Sequence, residues 1–115
     1  MAMKRVYVAG PFRADTAWRI QQNVRAAEAA SLAIWGAGGA ALCPHKNTEH
    51  FQNELPDSTW LEGDLCWLEV SEAIYMLPNW EFSEGARLER NEAERLGLPV
   101  FYDLPSLARW LATAA

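Results

Sequence analysis

Short apolar runs alternate along the chain with longer segments of helical periodicity. Four runs have the length of buried strands, and the segments that follow them repeat apolar residues every three or four positions. The predicted strands are residues 6–9, 40–43, 73–77 and 98–102, and helices are predicted over about 16–35, 58–70 and 106–113 and between Ser83 and Gly97.

The order βαβαβαβα with short links predicts an α/β fold, in which a parallel sheet is covered by helices on both faces. We expect a flavodoxin-like (Rossmann-like) three-layer sandwich with a parallel sheet of four to five strands, the four identified strands lying in the order 2-1-3-4. The 115 residues show no internal repeat or linker, which predicts a single domain over residues 1–115.

The helix after the third predicted strand carries an acid on its apolar stripe. At helical spacing Glu89 shares this stripe with Ala86, Ala93 and Leu96. It therefore points toward the core, at the edge of the sheet where ligands bind in open α/β folds. Such an acid can have a pKa tuned for chemistry. An acid that reaches water or pairs with an arginine fits the pattern as well, and periodicity alone leaves both interpretations open.

Composition narrows the classes of partner. Half of the residues are hydrophobic and the net charge is −5, which indicates a globular protein and argues against a nucleic-acid polymer or an anionic membrane as partner. A small phosphorylated ligand remains compatible, since helix N-termini bind anions. No apolar run approaches membrane-spanning length, and residues 6–9 are too short for a signal-peptide core. We expect a soluble cytoplasmic protein.

Several motifs favour structural explanations. Cys43 and Cys66 have no metal-ligand spacing and are interpreted as free, buried thiols. His45 and His50 lie five positions apart with no completing ligands, so no metal or cofactor is expected. The polar loop 45–56 leaves the second strand and could line a pocket, although a solvated loop is favoured for residues 46–50. The glycine run 36–39 ends a helix, and no serine nucleophile elbow is present.

The ends of the first and third strands should meet at the point where the strand order reverses, which is where a small ligand binds. Ser83 and the following amides would offer hydrogen-bond donors at a helix N-terminus, and Gly85 would let a ligand approach the backbone. The side chains expected together are Tyr7, Asp64, Ser83 and Glu89, beside Gly10 and Gly85.

These residues also form motifs. The sequence Tyr7-Val8-Ala9-Gly10-Pro11, then Asp64, then Ser83-x-Gly85-x-x-x-Glu89-x-x-x-Ala93 and Gly97-x-Pro99 resembles the nucleoside 2-deoxyribosyltransferase superfamily and its 2'-deoxynucleoside 5'-monophosphate N-glycosidase branch. In length and in residues 77–86 it is similar to small bacterial and phage proteins of unassigned function in that superfamily. The resemblance spans nearly the whole chain.

The resemblance implies roles for three side chains. Glu89 would attack C1' of a deoxyribose and form a glycosyl-enzyme, as retaining glycosidases do. Asp64 would protonate the leaving base, and Tyr7 would orient Glu89 through its hydroxyl. A strand tyrosine that simply packs in the core is an equally good interpretation of Tyr7. Water or a second base would complete the reaction, and the resemblance further implies a homodimer or larger homo-oligomer.

The resemblance also bears on the substrate, a nucleoside or nucleotide. Ser83 stands where the monophosphate glycosidases carry serine and the transferases an acid, which favours a 5'-monophosphate and hydrolysis. Compared with that branch the first loop is reduced, and Arg13 is its remaining basic residue beside Gly10 and Pro11. Trp80 and Phe82 are expected at the entrance of the site, where an aromatic ring can stack on a base.

Two other functions fit the same sequence. A non-catalytic nucleotide-binding or regulatory module on this fold is the main alternative, because a fold does not fix a function. A partner-binding domain would instead expose Trp60, Trp67 and Trp80 as an interface.

Overall fold

The computed structural model describes residues 3–113, and its strands and helices follow the predicted alternation. An unpredicted four-residue helix, α2, occupies the start of the segment interpreted as a polar loop. In chain order the elements are β1 (Lys4–Ala9), α1 (Ala17–Gly36), β2 (Gly39–Leu42), α2 (Pro44–Asn47), α3 (Asp57–Glu69), β3 (Ala73–Met76), a 3-10 turn (Trp80–Phe82), α4 (Glu84–Arg95), β4 (Val100–Phe101) and α5 (Leu104–Thr113).

The strand β1 lies in the middle of the sheet. It pairs in parallel with β2 on one side and with β3 on the other, and β4 pairs in parallel with β3. The order β2-β1-β3-β4 confirms the predicted flavodoxin-like sheet. Because the order reverses between β1 and β3, the carboxyl ends of these two strands border a crevice.

Helices cover both faces of this sheet and create two separate cores. Val6 and Val8 of β1 face the layer formed by α1 and α5, whereas Tyr7 and Ala9 face the layer formed by α3 and α4. This alternation follows from the two-residue period of a strand. It turns the tyrosine of the central strand toward the helix that carries Glu89.

Several predicted boundaries differ from the observed ones for local reasons. Helix α3 begins at Asp57, one residue before the predicted start, and Pro56 holds the cap position. Strand β4 begins only at Val100, because Pro99 has no N–H to donate to the ladder, and it ends at Phe101. Helix α5 begins at Leu104, two residues early, and Asp103 accepts a hydrogen bond from the Ser106 amide at 2.8 Å.

The two cysteines are free, but they are not both buried. Cys43 is half-buried, whereas Cys66 is exposed on α3. The prediction of a buried thiol is therefore wrong for Cys66. This helix packs on the sheet through Leu68, which is fully buried, and the thiol two positions earlier faces outward.

Within residues 3–113, none of the helices is both long enough and apolar enough to cross a membrane.

The end of β1 approaches β3 too closely for any side chain on Gly10. A Cβ there would lie 2.6 Å from Cβ and Cδ1 of Leu77. We expect Gly10→Ala to lower the free energy of unfolding by about 1–3 kcal/mol in urea titrations. The control Gly63→Ala lies within α3, where an added Cβ meets no atom within 4 Å, and should raise stability by about 0.5–1 kcal/mol. Equal stabilities of Gly10→Ala and the wild type would contradict this packing.

Candidate active site

A cavity of about 840 Å³ opens at the carboxyl ends of β1 and β3. Its volume suits a small-molecule ligand. Three segments form most of its wall: the β1–α1 loop from Gly10 to Arg13, the first two turns of α3 from Asp57 to Asp64, and the connection from Leu77 into α4 as far as Glu89.

Glu89 is buried at the cavity wall. Its side chain is 7 % exposed, and it lies with Ala86 and Ala93 on the buried stripe of α4. The hydroxyl of Tyr7 donates a hydrogen bond to Glu89 Oε2. Tyr7 is fully buried in the central strand, so it holds the carboxyl from the core side while the cavity lies on the other. The contact joins residues 82 positions apart.

Burial alters the protonation of Glu89. Loss of hydration raises the pKa of its carboxyl to about 8; the hydrogen bond from Tyr7 opposes that rise, and the charge of Asp64 adds to it. Burial, with the charges of Glu89 and Asp64, also raises the pKa of Tyr7 well above its usual value. Tyr7 therefore remains a neutral donor, and Glu89 is mostly protonated near neutral pH.

Asp64 provides a second acid on the same cavity. It extends from α3, and partial burial raises its pKa to about 6. Because its charge acts on both Glu89 and Tyr7, the two carboxyls titrate as an interacting pair. Between about pH 6 and 8 the pair holds one proton. Paired carboxyls with separated pKa values can act as acid and base or as acid and nucleophile.

The N-terminus of α4 faces the cavity without obstruction. Ser83 caps the helix by accepting a hydrogen bond from the Ala86 amide at 3.1 Å. A Cβ on Gly85 would meet no atom within 4 Å. Both residues line the cavity, so the helix start presents a hydroxyl and an uncovered backbone to a ligand.

Arg13 does not extend freely into the cavity. Its guanidinium pairs with Asp57 at the start of α3, and both side chains are largely exposed. Among the lining residues of the described chain, Arg13 is the single lysine or arginine, whereas four are acidic: Asp57, Asp64, Glu84 and Glu89. The cavity wall is therefore predominantly acidic.

Trp80 lies elsewhere than predicted. Its ring packs against Tyr102, with centroids 5.9 Å apart, and the guanidinium carbon of Arg90 lies 4.9 Å from its centroid. In the described chain the aromatic wall of the cavity includes Trp60 and Phe82 but not Trp80. The arrangement therefore does not favour base stacking by Trp80. Phe82, 85 % exposed, is the aromatic residue from this segment that reaches the cavity.

The three tryptophans predicted as a possible interface are not all exposed. Trp60 and Trp80 are half-buried, Trp60 in contact with Phe51, and only Trp67 of these three is exposed to 50 %. This does not favour an interface formed by Trp60, Trp67 and Trp80.

His45 was missed as a site residue. It is buried in α2, lines the cavity, and its Nε2 lies 2.8 Å from the Pro11 carbonyl oxygen. Burial lowers the pKa of its imidazole, so the ring is neutral near pH 7. Pro44, two residues after the end of β2, was the available signal for α2, because proline favours the first position of a helix. In residues 3–113 no cluster of three metal-binding side chains is present.

Comparison with known protein families identifies the family of this sequence. Residues 4–102 match the family described as "Domain of unknown function (DUF4406)". The chain belongs to this DUF4406 family. No curated protein matches the sequence.

Among solved structures, the DUF4406 chain is similar to a 2-deoxyribosyltransferase from the psychrotolerant bacterium Bacillus psychrosaccharolyticus. The TM-score is 0.67 at 15 % sequence identity, over 90 % of each chain. The resemblance drawn from sequence motifs is thus confirmed for the fold, a nucleoside 2-deoxyribosyltransferase-like α/β sandwich.

Replacing Glu89 by glutamine should stabilise the DUF4406 chain at alkaline pH. The folded pKa of about 8 exceeds the ordinary value of 4.5, so the wild type loses stability as the pH rises between these values, whereas glutamine does not titrate. In urea titrations, the advantage of Glu89→Gln should be larger at about pH 9 than at about pH 4 by roughly 1 to 4 kcal/mol.

The matched control is Glu92→Gln on the same helix. Glu92 pairs with Arg95 at the surface, which lowers the pKa of its carboxyl. This variant should gain no stability at alkaline pH. An advantage of Glu89→Gln that does not change with pH would contradict the buried, protonated carboxyl.

Proposed function

We propose that this DUF4406 protein cleaves or transfers the N-glycosidic bond of 2'-deoxynucleosides or their 5'-monophosphates, with Glu89 as nucleophile. One observation carries the proposal: a buried carboxyl, held by the hydroxyl of Tyr7, lies on the wall of a ligand-sized cavity where the strand order reverses. A second carboxyl, Asp64, faces the same space.

The reaction follows from the chemistry of this pair. The Glu89 carboxylate attacks C1' as the bond from C1' to the base nitrogen breaks, and the electrons of that bond pass to the base. Asp64 gives its proton to the departing base. In the second step water or another base attacks C1', Asp64 takes up a proton from the attacking group, and Glu89 leaves as a carboxylate.

The resting and reactive protonation states differ. Near neutral pH the proton of the pair resides mainly on Glu89, whereas the reaction requires an ionised Glu89 and a protonated Asp64. Positive charge that develops on the sugar favours the ionised form of Glu89, and the Tyr7 hydrogen bond stabilises that form. The arrangement thus favours the carboxylate most when a cation-like sugar is bound, which is the condition for selective transition-state binding.

The charges on the wall favour an uncharged 5'-hydroxyl over a 5'-phosphate. Arg13 is already paired with Asp57, and Glu84 adds a negative charge at the start of α4. A phosphate would have to draw Arg13 away from Asp57 and bind near these acids. Ser83 can serve either group as a hydrogen-bond partner. Through the motif resemblance it favours a 5'-monophosphate and hydrolysis, and the acidic wall opposes the first of these two expectations.

The alternative is a nucleotide-binding module without catalysis on the same cavity. Both functions predict that a deoxynucleoside stabilises the protein against heat. Only the enzyme releases a free base. The predicted homo-oligomer stays a prediction.

Chromatography of a panel of deoxynucleosides and their 5'-monophosphates tests the proposal. We expect the wild type to release free base, with deoxynucleosides preferred, and Glu89→Gln to lose activity by roughly a factor of 1,000 or more. Glu92→Gln, on the solvent side of α4, should retain full activity. Added acceptor base separates transfer from hydrolysis. Thermal stabilisation without base release from any panel member would support the binding module instead.

The carboxyl pair also predicts the pH dependence of the reaction. The reactive form has one proton on the pair, so kcat/KM should fall below about pH 6, where both groups are protonated, and above about pH 8, where both are ionised. In Asp64→Asn the alkaline decline should disappear. In this variant kcat/KM should rise with pH as Glu89 ionises. The midpoint of that rise should lie below the pKa of about 8, because the charge of Asp64 no longer raises the pKa of Glu89. A wild-type profile that is flat from about pH 5 to 9 would contradict these roles.

A further inference from the structure

The β1–α1 loop forms one wall of the cavity and is held by side chains from outside it. Two successive carbonyls accept hydrogen bonds: Pro11 from Nε2 of His45 at 2.8 Å, and Phe12 from Nδ2 of Asn23 at 3.1 Å. Loop carbonyls have no strand or helix partners, so such bonds largely determine where the loop lies. Asn23 belongs to α1 and His45 to α2, and the loop is thus tied to two different helices.

Of the two hydrogen bonds to the loop, the one from His45 should contribute more to the position of the loop. Its side chain is only 6 % exposed, and its ring meets the ring of Phe12 edge-on, with centroids 5.6 Å apart. A carbonyl only accepts hydrogen bonds, so Nε2 carries the hydrogen in this contact. Removing that donor would leave the Pro11 carbonyl without its side-chain partner, and the loop would lose one of the contacts that hold it in place.

We propose that His45 is a positioning residue of the candidate active site, which fixes the β1–α1 loop as the substrate-binding wall by donating from Nε2 to the Pro11 carbonyl. The ligand that this wall binds rests on the proposed function. The role of His45 in holding the loop does not depend on that function.

The two sides of the cavity are held independently. The Glu89 carboxyl is fixed by Tyr7 from the core, whereas the loop that carries Arg13 is fixed by His45. A loss of the His45 donor should therefore weaken substrate binding and leave the chemical step nearly unchanged. If the histidine only filled space, its loss would not affect substrate binding separately from the chemical step.

Two substitutions isolate the hydrogen bond from the space that the ring fills. In His45→Gln an amide donor remains near the position of Nε2, whereas His45→Leu keeps an apolar side chain of similar size and has no donor. His45→Met, which also lacks a donor and has a flexible apolar side chain, replaces His45→Leu if that variant does not fold. Thermal unfolding of each variant shows whether it is folded at the assay temperature.

The first measurement needs no ligand. Hydrogen-exchange rates of the backbone amides of Phe12, Arg13 and Ala14, followed by NMR, report on the loop. We expect these rates to rise in His45→Leu, or in His45→Met where the former does not fold, and to stay close to wild type in His45→Gln. Unchanged loop amides in the donor-free variant, or equal changes in the glutamine variant, would overturn the proposal.

The second measurement uses the deoxynucleoside that the wild type cleaves fastest. His45→Leu should raise KM about tenfold with kcat within about twofold, and His45→Gln should stay within about twofold in both constants. A fall in kcat at unchanged KM, or no rescue by glutamine, would overturn the positioning role. If the wild type cleaves no deoxynucleoside, the proposed function fails, and the loop amides alone decide the role of His45.

Discussion

The hydrogen bond from Tyr7 to Glu89 is the contact on which the rest of the site depends. It joins the central strand to α4 through an otherwise apolar core, and both partners are buried. A buried acid must be neutral or well partnered, and here a single hydroxyl supplies the partner while the open side of the carboxyl meets the cavity. The sheet and its flanking helices bring these two side chains together.

This arrangement places stability and reactivity in opposition. An apolar residue on the stripe of α4, between Ala86 and Ala93, would pack better than Glu89 and would need no partner. The acid instead carries a raised pKa, which means that its ionised form destabilises the fold. Such conflicts between local packing and residue type are expected at functional sites. Asp64 on α3, also shifted upward, repeats the conflict on the facing helix.

Much of this arrangement could be predicted from the periodicity of the sequence. The alternation of runs gave the layers and the strand order, and the stripe of α4 placed Glu89 toward the core beside Tyr7. Periodicity could not supply the contacts that join residues distant in sequence. Trp80 follows β3 as predicted but packs with Arg90 and Tyr102, and Arg13 pairs with Asp57 from a later helix. His45 needed knowledge of where the Pro11 carbonyl lies. Periodicity reports which face a residue occupies, not which partner it meets there.

The central claim is that the Glu89 carboxylate bonds covalently to a sugar carbon during turnover. Mass spectrometry of the protein, quenched in acid during steady-state reaction with a cleaved deoxynucleoside and then digested, tests this most directly. The account predicts a deoxyribosyl group on the peptide that contains Glu89, and none in Glu89→Gln. A sugar attached to Asp64, or base release that persists in Glu89→Gln, would contradict it.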